Sequence, residues 1–352
     1  MKQISFCITC MNRLKHLQET LEKNILDNFL VDEVEFVVLD YNSQDGLEEW
    51  IAQSMMKYIE MGILVYYRTT EPAYYRRSHS RNMVFRLAEG EVVCNLDADN
   101  YLGRGFAEFM LKEFNTSNLC YRDVFGRVCL ERKEFVEARG YNEVFVGYGL
   151  EDVEFFNRLL CRGLVQEIFN QKEFYNVLMH ADEERIAQEF LLKKLQSVYL
   201  DYINPYSTRV LMLYKGQRFG IGVIQNNIAM NYNHPDESDM LKQCIGDKYR
   251  LVIKGEWKEG IWDEMENGIR LNFKDEEMIL RNKSNCLYDF NHQYYKVKDA
   301  NLIVVIVMGV TEAINYLKMK KMDNDCKTVN PNGFGQGIVY RNFDYTNKIL
   351  LA

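Results

Sequence analysis

No glycine stands before Gly46, and that absence removes several functions at once. The first strand-to-helix turn cannot be a G-x-G-x-x-G dinucleotide fingerprint or a phosphate-cradling P-loop, and it lacks the Gly-rich loop of a sugar nucleotidyltransferase. A phosphate bound there has to be held by a metal and side chains. No long basic run occurs and the formal net charge is −8, so the positive footprint of a duplex-binding protein is missing and no nucleic-acid partner is expected. Arg76-Arg77 and the group Lys318, Lys320 and Lys321 read as solvated surface. The longest apolar run, Leu302–Val310, falls well short of the ~18–20 residues of a membrane span, so no transmembrane segment is expected. Met1-Lys2-Gln3 leads into a strand-like segment without a signal-peptide pattern. Cys7 and Cys10 form one C-x-x-C, with no second pair at zinc-ribbon spacing. Reduced, mostly buried cysteines and a cytoplasmic location are therefore expected. No internal repeat or low-complexity segment is visible.

What is present is ordinary globular composition, 47% apolar and 27% charged, in 352 residues, enough for two domains. The first hundred residues alternate strand and helix. Ile4–Thr9, Val34–Leu39, Ile63–Tyr67 and Glu91–Leu96 read as strands. Leu14, Leu17, Leu21 and Ile25 mark one helix, Leu47–Tyr58 another and His79–Ala88 a third. Such alternation predicts an α/β fold with an open, mainly parallel sheet, helices on both faces, and ligands beyond the carboxyl ends of the strands. After about residue 190 the pattern turns to short β-rich segments: Thr208–Tyr214, Tyr249–Trp257, Gly268–Phe273, Glu277–Leu280 and Tyr294–Val297. An antiparallel domain is expected there, giving a division into 1–200 and 201–352. Asn301–Lys318 starts as a strand and is left open to continue as a helix, and Gly333–Gly337 reads as a turn.

Three positions carry chemistry. Asp97 and Asp99 lie two apart at a strand's end, so in extended backbone their carboxylates point the same way, a pair that suits Mn²⁺ or Mg²⁺; a solvated turn gives the same letters. Gly147-Tyr148-Gly149-Leu150-Glu151-Asp152 opens an amphipathic helix, where carboxylates serve either as a base for a hydroxyl or merely as partners of the helix dipole. His180 is either a structural histidine or a neutral imidazole ligand for the same metal.

These motifs resemble a known family. Ser78-His79-Ser80-Arg81-Asn82, Leu87-Ala88-Glu89-Gly90-Glu91 and Leu96-Asp97-Ala98-Asp99-Asn100 resemble the A-R-N, A-x-G-E and L-D-A-D-D segments of GT-A glycosyltransferases of the inverting family 2 type. Ser80 and Asn100 are its departures. Phe125–Leu130, Arg139–Glu143 and Gly147–Arg158 resemble the C-terminal catalytic portion of galactosyl- and N-acetylgalactosaminyltransferases, with Tyr148 in place of the usual Trp and Leu150 in place of a Gly. The resemblance implies a donor pocket of Thr9, Asn12, Arg13, Asp40 (facing uracil), Asn42, Asp45, Arg81, Asn82 and Asp97. It implies metal ligation by Asp99 and His180 with Asp97 nearby, acceptor contacts from Tyr148, Gly149 and Glu151, and Asp152 as catalytic base beside Glu151.

The expected activity is Mn²⁺- (or Mg²⁺-) dependent, inverting transfer of a hexose or N-acetylhexosamine from a UDP-sugar to a glycan or lipid-linked acceptor, as in surface polysaccharide assembly at the inner face of a membrane. Two other readings stay open: a nucleotide- or carbohydrate-binding protein without catalysis, and a lectin-like function in the β-rich half. Oligomeric state is not addressed by the sequence.

Overall fold

The computed structural model describes residues 2–29, 33–114, 119–123, 126–168, 172–174, 176–225, 252–322 and 329–352. Phe125 and Tyr249–Leu251, named in segments above, lie outside these described residues.

The chain begins with β1 (Ile4–Cys10), buried along its whole length as expected of a strand covered on both faces. Next is α1 (Leu14–Asp27), which buries Leu17, Leu21 and Ile25 on one stripe. After β2 (Val34–Tyr41), the helix expected over Leu47–Tyr58 is broken into α2 (Leu47–Trp50), a π turn at Ile51–Met55 and α3 (Met56–Glu60). Then come β3 (Leu64–Thr69), α4 (Arg77–Leu87) and β4 (Val92–Asn95). They are followed by β5 (Asn100–Tyr101), α5 (Phe106–Glu113), β6 (Leu119–Arg122), β7 (Val128–Glu131) and α6 (Arg132–Glu137). The segment closes with α7 (Glu151–Cys161), β8 (Val165–Ile168) and β9 (Asn176–Val177).

Two short helices, α8 (Asp182–Ile186) and α9 (Phe190–Lys194), lead into β10 (Leu195–Asn204), β11 (Ser207–Tyr214), β12 (Arg218–Gln225) and β13 (Val252–Met265). These continue as β14 (Gly268–Asn272), β15 (Glu277–Lys283), β16 (Cys286–Tyr288) and β17 (Gln293–Lys296), then α10 (Ala300–Lys321), β18 (Gly337–Arg341) and β19 (Asp344–Leu351).

One sheet has the order β19-β18-β3-β2-β1-β4-β7-β6-β8. Its centre, β3-β2-β1-β4, is parallel, while β7 runs antiparallel to both β4 and β6 and the β18 strand antiparallel to β3. Alternate side chains of β1 feed two apolar cores. Ile4, Phe6 and Ile8 pack with Leu17, Leu21, Ile51, Phe106 and Met110, whereas Cys7 packs with Met83, Phe85, Phe135 and Phe155. This is the mixed, mainly parallel sheet with helices on both faces that the strand–helix alternation predicts. The carboxyl ends of β1, β2 and β4 collect at one edge, where ligands of such sheets bind.

β10 to β17 pair consecutively and antiparallel, and β17 pairs back to β10, closing a barrel. Packing groups the chain differently from a cut at residue 200. Met1–Val146, Glu151–His180 and Asp323–Ala352 form one unit; Gly147–Leu150 and Ala181–Met322 form the other. The last strands thus rejoin the first sheet, because β18 finds an open edge at β3. Asn301–Lys318 is helical from its start, correcting the expected strand. Asp299 caps the helix by accepting from Leu302 N–H at 3.1 Å. By length and apolarity alone α10 resembles a membrane-crossing helix, although 56% of its apolar window is buried inside the protein, as in a core helix. Cys94 and Cys129 oppose each other on β4 and β7, with Cα atoms 4.1 Å apart.

Gly90, from the A-x-G-E segment, has a steric role. A Cβ there would lie 2.5 Å from Ser5 Oγ and 2.8 Å from Ser5 N. In its place the Gly90 N–H donates to Ser5 Oγ at 2.8 Å, and that hydroxyl donates to buried Glu35 at 2.5 Å. Gly90→Ala is expected to destabilise the fold by ~1–3 kcal/mol through overpacking against backbone. Chemical denaturation would read this directly, and a wild-type midpoint would contradict it.

Candidate active site

The expected donor residues on β1, β2 and their loops form a braced turn. Asp40 is fully buried: one oxygen accepts from Ser43 N–H at 2.6 Å, the other from Tyr66 OH at 2.8 Å, with Arg68 Nε at 3.7 Å. Burial raises its pKa against these partners. The role expected for Asp40, facing a base, is therefore not offered by an open carboxylate; it acts here as the internal brace of the turn. Asn12 (φ 55°) accepts from Gln44 N–H at 2.7 Å, and its own N–H donates to Ser43 Oγ at 3.0 Å. Asn42 (φ 64°) donates to Pro72 O at 2.8 Å, and Asp45 accepts from Leu14 N–H at 2.8 Å, serving an otherwise unpaired donor at the start of α1. Thr9 Oγ1 and Tyr75 OH are 2.7 Å apart, and Arg13 Nη1 is 3.2 Å from His16 Nε2.

One buried guanidinium links motifs that are far apart in sequence. Arg81, on α4, donates through Nη1 to Glu151 Oε1 at 3.1 Å and through Nη2 to Asp97 Oδ1 at 3.3 Å. It also lies over the Tyr141 ring, 5.5 Å from the centroid. Asn95 Nδ2 donates to Asp97 Oδ1 and to Gly126 O, each at 3.1 Å, tying the end of β4 to the start of β7. Arg77, one turn before Arg81, places Nε 3.8 Å from Glu151 Oε1 with its side chain only 14% exposed. It is therefore not the solvated surface expected of Arg76-Arg77. Its signal was available in the four-residue spacing to Arg81, which puts both on one helix face. Asn82, expected to bind donor, is instead spent on the protein. It is fully buried, donating to Tyr141 O at 2.8 Å and Glu143 Oε1 at 2.9 Å and accepting from Tyr141 N–H at 2.7 Å.

Burial pushes the Glu151 carboxyl above its usual range, neighbouring Asp152 adds to this, and Arg81 and Arg77 oppose it. Glu151 Oε2 and Tyr141 OH are buried without hydrogen-bond partners, polar atoms whose burial is costly unless a ligand or water meets them. For Asp97, burial also pushes upward, but Arg81, Asn95 and Arg77 more than reverse it, leaving the group below the ordinary carboxylate range.

Asp99 turns the other way. His180 Nε2 lies 2.6 Å from Asp99 Oδ2, although 81 residues separate them. A short ladder makes the meeting: Asn100 pairs with Val177, and Leu178 N–H donates to Asp99 O at 2.8 Å. The His16 ring packs edge-on against His180 at 5.2 Å. The expected three-residue metal set is thus divided, Asp99 standing with His180 and Asp97 with Arg81. Among the described residues no group of three or more His, Cys, Asp and Glu side chains is placed to hold a metal ion. What the protein offers is one carboxylate oxygen and one imidazole nitrogen at a single point. That donor set suits Mn²⁺, with the remaining positions left to a ligand and water.

The Gly147–Asp152 segment is split as well. Glu151 and Asp152 open α7 in the first unit, with Asp152 Oδ1 accepting from Val153 N–H at 2.8 Å. Gly147–Leu150 groups with the second unit, where Asn315 donates to Gly149 O at 2.9 Å and Arg185 reaches Tyr148 OH at 3.5 Å. Leu150, standing where the resembled group has glycine, keeps a glycine-like backbone at φ 72°.

The model of the family described as "Glycosyl transferase family 2" matches residues 5–169, just under half of the chain, so this stretch is similar to that family. A search of curated proteins finds no match. Among solved structures, the chain is similar to a mannosyltransferase from Pyrobaculum calidifontis in complex with GDP-Man and Mn²⁺. Identity is 17% and the TM-score 0.43, over 48% of this chain and 55% of that one. It is also similar to S. aureus TarS 1–349 in complex with UDP (17%, 0.41, covering 52% and 62%). A third is glucosyl-3-phosphoglycerate synthase from Mycobacterium tuberculosis with Mn²⁺, UDP and phosphoglyceric acid (12%, 0.39, covering 55% and 76%). The chain spans less than two thirds of the first two of these proteins.

Two outcomes are expected from the Arg81 cluster. Arg81→Met leaves the buried Glu151 and the partly exposed Asp97 without this cation and should cost ~3 kcal/mol of stability, the lower end for a broken buried pair, read by denaturant unfolding. An acid with a depressed folded pKa stabilises the fold above its unfolded value of ~3.9 and loses that contribution as pH falls through the lower folded value. Asp97→Asn should therefore flatten the acid limb of the stability curve; thermal melts taken from neutral to strongly acid pH would show an unchanged limb if Asp97 were uncoupled.

Proposed function

We propose that the chain transfers a hexose or N-acetylhexosamine from a UDP-sugar to a hydroxyl of a glycan or lipid-linked acceptor, with inversion at the sugar carbon. The observation that carries this is Arg81. Its guanidinium joins Asp97, from the D-x-D segment, to Glu151, from the segment that resembles an acceptor site, which supports reading the two motifs as parts of one site. A cytoplasmic site of action, near the inner face of a membrane, belongs to the same proposal.

Asp99 and His180 would hold Mn²⁺ or Mg²⁺, which when bound neutralises the diphosphate leaving group. Arg81 and Arg77 supply fixed positive charge beside the donor, and Asp97 keeps Arg81 in place. Glu151, buried with one oxygen unpartnered, orients the acceptor hydroxyl. Asp152 takes the hydroxyl proton as the oxygen attacks from the face opposite the departing diphosphate. Tyr148 and Gly149 are assigned to acceptor contact on the resemblance alone.

Asp152→Asn should lower turnover by ~10²-fold or more with donor binding kept, as loss of a general base requires. Isothermal titration with UDP-sugar beside a rate assay separates the two. In a thermal-shift screen of nucleotide sugars, stabilisation should require Mn²⁺ and disappear in Asp99→Asn and His180→Ala. Retention of anomeric configuration in the product would overturn the inverting assignment.

A further inference from the structure

Arg127 has no part in the scheme above, yet it is among the most deeply buried charges in the protein, at 1% exposure. Its guanidinium is split three ways. Nε pairs with the Asp123 carboxylate, Nη2 donates to Phe174 O, and Nη1 donates to Tyr101 O at 3.4 Å. Its own N–H donates to Asp123 Oδ1 at 3.0 Å. Tyr101 lies two residues after Asp99, and Phe174 six residues before His180. The two segments approach so closely that a Cβ on Gly103 would lie 2.5 Å from Glu173 O. On the other side, α1 holds the Asp99 segment: Thr20 Oγ1 donates to Ala98 O at 2.7 Å, Asn24 Nδ2 to Asn100 O at 2.9 Å, and Leu102 N–H to Asn24 Oδ1 at 2.8 Å. The His180 segment has its ladder to β5 and the bond from Arg127.

We propose that Arg127 is a positioning residue for Asp99 and His180: it clamps the two backbone segments together and so sets the separation of the carboxylate from the imidazole. The proposal rests on the reading of those two side chains as the cation-holding pair. The residue type fits the task. A planar guanidinium donates from three nitrogens in divergent directions, here to two carbonyls and a carboxylate, whereas an ammonium's donors all leave from one atom. Groups that orient metal ligands are worth typically ~10–100-fold in metal affinity.

The test uses the full chain with Arg127→Lys, which keeps a cation beside Asp123 and gives up the divergent bonds. If that variant does not fold, the pair Arg127→Met with Asp123→Leu removes both charges together. Two quantities are read: amide hydrogen exchange at Leu178, whose N–H bonds Asp99 O, and Mn²⁺ affinity by electron paramagnetic resonance titration of the metal alone. Expected are exchange at Leu178 faster by ~10-fold or more, wild-type protection at Phe6 and Val37, and Mn²⁺ affinity weakened ~10–100-fold. Unchanged Leu178 exchange overturns the proposal, and so does a wild-type Mn²⁺ affinity in the variant. If the wild-type chain takes up no Mn²⁺ while Leu178 loses protection in the variant, the clamp stands and the cation reading falls.

Discussion

A cation taken out of water has to be met by anions, and in this protein that requirement falls on Arg81. Its side chain is 5% exposed, and the carboxylates it finds come from residues 16 and 70 positions further along the chain. The end of β4 and the start of α7 are thereby bound to one face of α4. Removing either carboxylate would leave part of the guanidinium unpaired in a low-dielectric setting, where the penalty is largest. The opposed pKa directions of Asp97 and Glu151 follow from the same arrangement. Asp97 has Arg81 and Asn95 to hold its charge; Glu151 shares its cations and has Asp152 as neighbour. One carboxylate is kept ionised and the other is biased toward its protonated form within a single cluster.

Around this cluster the polar residues divide by task. Asn82, Asp40 and Asp45 spend their hydrogen-bonding capacity on backbone and side chains of the protein itself. Asn82 and Asp40 are fully buried and closed to a ligand, whereas Asp45 is exposed and accepts through one oxygen only. Glu151 Oε2 and Tyr141 OH are buried without a hydrogen-bond partner, while Asp99 and His180 are paired with each other. The distinction is one of satisfaction: a buried polar atom already paired has reached its minimum, while an unpaired one carries an unmet cost that a ligand removes.

Much of the fold was legible in the chain because local patterns and tertiary demands agree. Ile4–Thr9, Val34–Leu39 and Glu91–Leu96 are short, predominantly apolar and β-branched segments, as strands covered on both faces are. Where local pattern is silent the reading stopped. Asn301–Lys318 opens on the uninterrupted apolar run Leu302–Val310, whose period does not separate a buried helix from a strand. Leu195–Asn204 and Arg218–Gln225 have ragged alternation, and closing the barrel is what makes them strands. Gly337–Arg341 and Asp344–Leu351 gain their place from an open edge at β3, which no nearby residue announces.

The sequence by itself determined the parallel α/β core, the β-rich half, and the identity of the residues able to bind a cation or move a proton, since those are properties of side chains and of short-range periodicity. Tertiary structure alone decided which of them meet. Asp97 and Asp99 are two apart in sequence, yet one turns to Arg81 and the other to His180. The cause is that β4 ends at Asn95 and the chain bends before β5 begins, so the strand rule that aligns alternate residues no longer applies at those two aspartates.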